Sequence, residues 1–256
     1  MLKKYILFVL IGFFALSVSS YAQNFFAFTH EARVVPDNFL QIESGFIYKQ
    51  DRFEKDRFGK DKIIRDVSAL GTLARYGVLK NVELQLAFDY GNTTTEYAGI
   101  TTKFSGLRNI SPGIKYLMYD GGTKYPMLSL HAAVKLPAGS EYYKPIDFEP
   151  VLTFIYAQKL GGKGDLGFNL GGRINSATKN LVVHYSGALG MPLFQNVTGF
   201  VEAFGDLTEN TDNHFFDAGF NAYVSEIVEF DAAVGSDLNP EVKSILVKIG
   251  FTLKIQ

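Results

Sequence analysis

From Val82 to Tyr90 apolar side chains recur at every second position, and the places between them hold Glu83, Gln85, Ala87 and Asp89. A period of two sends successive side chains to opposite faces of a sheet, so this stretch predicts a strand with one greasy and one wet wall. The pattern returns at 127–136, where Leu128, Leu130, Ala132 and Val134 oppose Ser129, His131 and Lys135. It is cleanest at 243–255, with Ile245, Val247, Ile249, Phe251, Leu253 and Ile255 against Ser244, Lys248, Gly250, Thr252 and Lys254. Taken along the chain, such segments predict about twelve strands, the first over 39–49. Two are ambiguous: in 63–76 the set Leu70, Thr72 and Ala74 competes with Ala69, Gly71 and Leu73, and 198–207 shows no settled face.

The connections alternate between short and long. Turns are expected at 77–81, 120–122, 161–164 and 194–196, and polar loops at 50–62, 91–103 and 136–148. Pro112, inside a predicted strand, removes a ladder donor and asks for an interrupted position there.

The amino terminus departs from this pattern. Lys3 and Lys4 precede an apolar run from Tyr5 to Val18, and Ser20-Tyr21-Ala22 places small residues where a signal peptidase cuts. Residues 1–22 are therefore expected to be a cleaved secretory signal, and 23–256 a single barrel domain. Residues 23–38 are expected to be irregular and to lie on the periplasmic side.

Composition then narrows the chemistry. Cysteine is absent, which excludes disulfides, thiol chemistry and cysteine-held metal. A formal net charge of −1 gives no electrostatic reason to expect nucleic acid. With 25 glycines, 14 tyrosines and 23 phenylalanines but no tryptophan, the chain suits a barrel or sandwich of many short strands. An even strand number, alternating connection lengths and tyrosines near strand ends favour an all-β, closed antiparallel transmembrane β-barrel in the bacterial outer membrane. A soluble sandwich is the alternative. In the barrel Tyr48, Tyr76, Tyr90, Tyr116, Tyr119, Tyr156 and Phe251 would form the interfacial girdles.

The segments 73–84, 126–130, 134–139 and 200–205 resemble the family named for the MetA pathway of phenol degradation, a set of transporter-like outer-membrane barrels. The resemblance implies passage of small aromatic or hydrophobic compounds. Many outer-membrane barrels end in an aromatic residue read by the insertion machinery, whereas this chain ends Ile255-Gln256, with Phe251 the nearest aromatic.

If the apolar rows face lipid, the polar rows face a lumen. The expected lining includes Glu43, Glu83, Gln85 and Asp89 near the amino end, Lys115, His131, Lys135, Arg173 and His184 in the middle, and Glu229, Asp231 and Lys248 near the carboxyl end. Both signs are present, so pairs are expected, as between Glu229 or Asp231 and Lys254. Two readings of this lining stand side by side: a polar constriction that selects solutes, or a charge network that plugs a structural barrel whose function lies in the loops at 50–62 and 91–106. A third is a lipid hydrolase using His184 and Ser186, two residues apart on one face, although a strand spaces such side chains some 6–7 Å apart. The histidines at 30, 131, 184 and 214 are scattered and lack metal-ligand spacing, and the oxygen-rich stretch 206–213 lacks that of a calcium loop. The expectation is a non-enzyme with no cofactor and no metal, whose partners are outer-membrane lipids, small solutes and the barrel-assembly machinery.

Overall fold

The computed structural model describes residues 29–53, 62–161, 163–209 and 212–256. The predicted signal at 1–22 and most of the charged loop at 50–62 lie outside the described residues. Twelve antiparallel strands form one closed barrel: β1 (Leu40–Phe53), β2 (Lys62–Leu79), β3 (Val82–Tyr97), β4 (Ile100–Asp120), β5 (Met127–Lys135), β6 (Glu149–Lys159), β7 (Asp165–Ile174), β8 (Leu181–Phe194), β9 (Val197–Leu207), β10 (Asp212–Tyr223), β11 (Val228–Asp237) and β12 (Val242–Ile255). Each strand pairs with its sequence neighbour, and β12 closes on β1 over an unbroken register from Leu40↔Ile255 to Phe53↔Val242. Closure leaves no unpaired edge, which is what a spanning sheet requires in hydrocarbon.

The alternation sorts the side chains by face. Leu84, Leu86 and Tyr90 are exposed on the outside of β3, while Glu83, Gln85 and Asp89 are buried inside it. The outer surface carries Phe154, Phe168, Phe220, Phe230 and Ile249, all exposed, and Tyr76, Tyr90, Tyr116 and Tyr119 sit exposed near strand ends. Burial here is inverted relative to a water-soluble sandwich: the buried set is dominated by charged and polar groups. Such an apolar exterior is stable when surrounded by acyl chains.

The ambiguous face of β2 has a mechanical cause. Its pairing with β3 slips between Ser68 and Thr72, and that with β1 slips between Gly45 and Ile47. A bulge inserts a residue and flips the phase of the alternation. Thus Asp66 faces in on one side of the bulge, and Leu73 and Arg75 face in on the other. β9 turns Thr198, Phe200, Glu202 and Phe204 inward, which puts two aromatic rings in the lumen and hides the polar signal.

The region 91–106 is not a loop. β3 and β4 pair continuously out to Tyr97↔Ile100 and reverse through Ala98 and Gly99, with φ of 54° and 81°. Two positive φ values in a two-residue connection make a primed turn, which matches strand twist. The stretch escaped recognition because its threonines and asparagine alternate no hydrophobicity. Pro112 pairs with Leu86 one residue outside the β4–β5 ladder, which begins at Gly113, so its missing N–H takes no bond from that ladder.

Strands of 16 and 21 residues in β3 and β4 exceed the roughly 9–11 that a membrane needs. Their hairpin therefore projects beyond the apolar belt at the end opposite the carboxyl terminus. A charge at the centre of that belt is expected to be costly and one on the hairpin is not. Leu86→Arg should lower folding stability in lipid vesicles by about 2–4 kcal/mol, and Tyr97→Arg by less than about 1 kcal/mol; equal effects would contradict the assigned belt.

Candidate functional site

Residues 29–36 run inside the barrel, not beneath it on the periplasmic side as their irregular sequence suggested. The chain enters at the rim between β1 and β3, where Asp37 bridges Gly77 and the Asn38 N–H donates to the Gly77 carbonyl at 2.9 Å. Asn38 has φ of 66°, a left-handed residue that redirects the chain into β1. A side chain at Gly77 would strike the Pro36 carbonyl, its Cβ lying only 2.0 Å from that oxygen, so glycine there lets the entering segment lie against the wall.

Inside, the segment is held largely through its main chain. The Val35 N–H donates to Glu83 Oε2 at 2.6 Å. The Arg33 carbonyl accepts from Arg75 Nη2 at 3.0 Å and from Lys115 Nζ at 2.8 Å, and the Glu31 carbonyl accepts from Lys115 Nζ at 2.9 Å. Ser129 donates to the Ala32 carbonyl, and the Thr29 hydroxyl donates to Glu202. The Asn169 amide, oriented so that its oxygen meets donors and its nitrogen acceptors, accepts from the His30 N–H at 2.5 Å and donates to the His30 carbonyl at 3.2 Å. These anchors come from β3, β2, β4, β5, β7 and β9 in turn, so the segment crosses the lumen from one wall to the other. Ala32 packs with Met127 and Ile155, one of the few apolar clusters inside.

Arg75 is the hub of this crossing. It is 3% exposed, and its guanidinium makes a forked contact with Glu83 at 2.9 and 3.0 Å while Nη1 donates to Glu43 at 2.9 Å. Lys115 reaches Glu83 at 3.2 Å, and Gln41 and Gln85 donate to Glu43 and Glu83 at 2.7 and 2.6 Å. A bidentate guanidinium–carboxylate pair fixes both partners in one plane, which a lysine would not do. Arg75 stands on a strand whose faces the sequence leaves open, because the β2 bulge obscures which way it points.

The remaining lining falls into smaller groups. Asp89 receives bonds from Arg108 Nε and from Asn109 at 2.7 Å, and Arg108 also reaches Asp66 at 2.9 Å. A Cβ at Gly91 would sit 2.5 Å from the Arg108 guanidinium carbon, so glycine makes that space. Tyr143, on the long β5–β6 connection, lies 5.2 Å from the same guanidinium and donates to Thr93 at 2.9 Å. Glu149 pairs with Arg173 at 3.2 Å, and Lys135 lies opposite Glu149 in the register. Asp231 pairs with Lys248 at 3.0 Å, not with Lys254, because Gly250 stands opposite Asp231 and leaves the diagonal lysine room to reach it. Glu229 is buried opposite Thr252.

His184 and Ser186 do not form a nucleophile–base pair. His184 Nε2 lies 2.8 Å from Thr153 Oγ1 across the intervening β7, where Gly171 leaves the passage its ring needs, and Ser186 is drawn to Asn169. Among the described residues no group of His, Asp and Glu is arranged to hold a metal.

Beyond the crossing segment, toward the end opposite the carboxyl terminus, lies a cavity of about 500 Å³. Gly71, Gly45 and Gly250, in register on β2, β1 and β12, form part of its floor. Phe204 and Phe215 stack on the other side with centroids 5.2 Å apart, Lys49 sits 4.4 Å over the Phe215 ring, and Ile47, Leu73 and Leu246 add apolar wall. These rings were missed in sequence because an inward aromatic on a polar face looks like a broken alternation.

The seat of the segment is expected to depend on Arg75. Since the chain has no native cysteine, Val34→Cys supplies a single thiol at a 4% exposed position. Its maleimide labelling in the folded barrel should be slow, and Arg75→Ala, which strands Glu83 and Glu43 at a cost of about 3–5 kcal/mol, should speed it at least tenfold. Unchanged labelling would remove Arg75 from this role.

Three solved structures show the same kind of fold at low identity. The COG4313 outer membrane channel from Pseudomonas putida F1 aligns with a TM-score of 0.61 at 11% identity, over 91% of this chain and 100% of that one. The translocator domain of autotransporter NalP from Neisseria meningitidis gives 0.57 at 12%, over 84% and 88%, and the KdgM porin bound to disordered oligogalacturonate gives 0.50 at 7%, over 84% and 99%. No curated protein matches the chain. One family matches residues 24–255, which contain the whole barrel, and the chain belongs to that family, described as "Putative MetA-pathway of phenol degradation".

Proposed function

We propose that this barrel is an outer-membrane channel for passive passage of small aromatic or hydrophobic molecules, held closed in the observed state by its own residues 29–35. The observation that carries the reading is the cavity between the glycine row and the Phe204–Phe215 stack. Its volume of about 500 Å³ falls in the range of small-molecule sites, and it presents ring faces and aliphatic walls with a few fixed polar groups. The charges around it are already paired, Arg108 with Asp66 and Asp89 and Lys248 with Asp231, which suits an uncharged solute better than an ion. Family membership and the channel and porin neighbours support a channel role; the solute class rests on the cavity and on the family's description. Export through a signal at residues 1–22, insertion by the barrel-assembly machinery and a surrounding of outer-membrane lipid belong to the same proposal.

A second reading, a structural barrel with a sealed lumen, is favoured by the crossing segment itself and by the Arg75–Glu83–Lys115 network beneath the cavity. Removing the segment separates the two. Deletion of residues 24–34 should give stable planar-bilayer conductance and faster liposome swelling with phenol-sized neutral solutes than the full chain. A deleted barrel that stays folded, as judged by heat-modifiable migration, yet passes nothing would establish the sealed barrel.

A further inference from the structure

Arg52 on β1 and Lys243 on β12 stand directly opposite each other in the register. Their neighbours Asp51 and Ser244 are bonded to each other on the inner face, where Lys49 and Leu246 line the cavity. Alternation therefore turns Arg52 and Lys243 outward, and both are exposed. Among the described residues no other pair of like charges meets directly across two strands on the outer face. Like charges so opposed destabilise a sheet, and an anion between them reverses the sign.

Two more cations adjoin them. Arg65 on β2 lies opposite the outward Gln50 and donates to it at 2.8 Å, and Thr94 on β3 stands between Arg65 and Lys103 on β4. Glu96 answers Arg65 at 2.5 Å, whereas Arg52, Lys243 and Lys103 make no ion pair among the described residues, with Glu241 before β12 or with any other carboxylate. The level of the patch is set by the pairs below it. Along the outside of β1 and β12 these are Phe46 with Ile249, Tyr48 with Val247, Gln50 with Ile245, and then Arg52 with Lys243. The Tyr48 hydroxyl donates to Gln50 at 3.1 Å, so polar contact begins one row short of the cations. That is where an apolar belt gives way to lipid head groups. At the end opposite the carboxyl terminus, where the connection 136–148 is long, those head groups belong to the outer leaflet.

We propose that Arg52 and Lys243, with Arg65 and Lys103 beside them, bind the phosphates of an outer-leaflet glycolipid. A guanidinium offers a phosphate paired donors and an ammonium adds a point charge, so a phosphate between Arg52 and Lys243 replaces their repulsion with two attractions. A lipid also meets a condition that a free phosphate does not. Its acyl chains would lie below the head group along Phe46, Ile245 and Ile249, exposed on the same two strands. This inference rests on the outer-membrane placement proposed above and is independent of what the lumen passes.

The test is native mass spectrometry of the full chain in neutral detergent, titrated with diphosphoryl lipid A, with the dephosphorylated lipid and with inorganic phosphate. Diphosphoryl lipid A should bind, and joint Arg52→Gln and Lys243→Gln substitution should weaken it about 25-fold, roughly fivefold for each cation. Both side chains are exposed, so the variant should keep the heat-modifiable migration of the folded barrel. Lys80→Gln with Lys124→Gln, at exposed positions in turns of the other end, should leave binding unchanged. Full affinity in the Arg52 and Lys243 variant, an equal loss in the Lys80 and Lys124 variant, or equal binding of the dephosphorylated lipid overturns the site. Competition by inorganic phosphate at the same concentration overturns the lipid as its source. Fractionation of the cell envelope tests the placement separately: a chain absent from the outer membrane removes the placement and the site with it. Conductance of the 24–34 deletion, which keeps the patch, reports on the channel alone.

Discussion

A buried guanidinium must be surrounded by acceptors or it unfolds what contains it, and Arg75 is such a group. Glu83 and Glu43 take its donors on either side, Gln85 and Gln41 hold those carboxylates, and Lys115 completes the charge balance beside Glu83. The donors left over on Arg75 and Lys115 go to main-chain carbonyls of the crossing segment, so the network that braces the first four strands also binds the chain that blocks them. Replacing one partner leaves an uncompensated charge in a place water cannot readily reach, which makes the barrel's inner half and its closure a single energetic unit.

Much of the wall was legible in the sequence because lipid imposes a strict rule. Where Val82–Tyr90 or Val247–Ile255 alternates without interruption, the greasy positions are outside and the polar ones inside. Legibility failed where physics other than the lipid rule set the side chain. At β2 a bulge reversed the phase, so Arg75 and Leu73 were not recognised as inward. At β9 and β10 inward phenylalanines line a cavity, so no unbroken polar row marks the inner face there. At 91–106 the hairpin stands clear of the membrane, and no bilayer enforces alternation on it.

The crossing segment was illegible for a different reason. Its bonds run mostly to its main chain, and those atoms are the same in every sequence; what marks the site is the set of side-chain partners, Arg75, Lys115, Ser129, Asn169 and Glu83, scattered over five strands. A barrel makes such convergence ordinary, since every second residue of every strand points at one axis.

Function then depends on what moves. The outer cavity, with its glycine floor and stacked rings, is formed by strands that closure keeps rigid, whereas the crossing segment joins the described wall covalently through Pro36–Phe39. Hydrogen exchange on the full chain in lipid tests this account most directly. The amides of His30 and Val35, bonded to Asn169 and Glu83, should exchange as slowly as those in β3 at neutral pH. Exchange at both amides as fast as in the exposed turn at Ala98–Gly99 would show that the segment does not occupy the lumen.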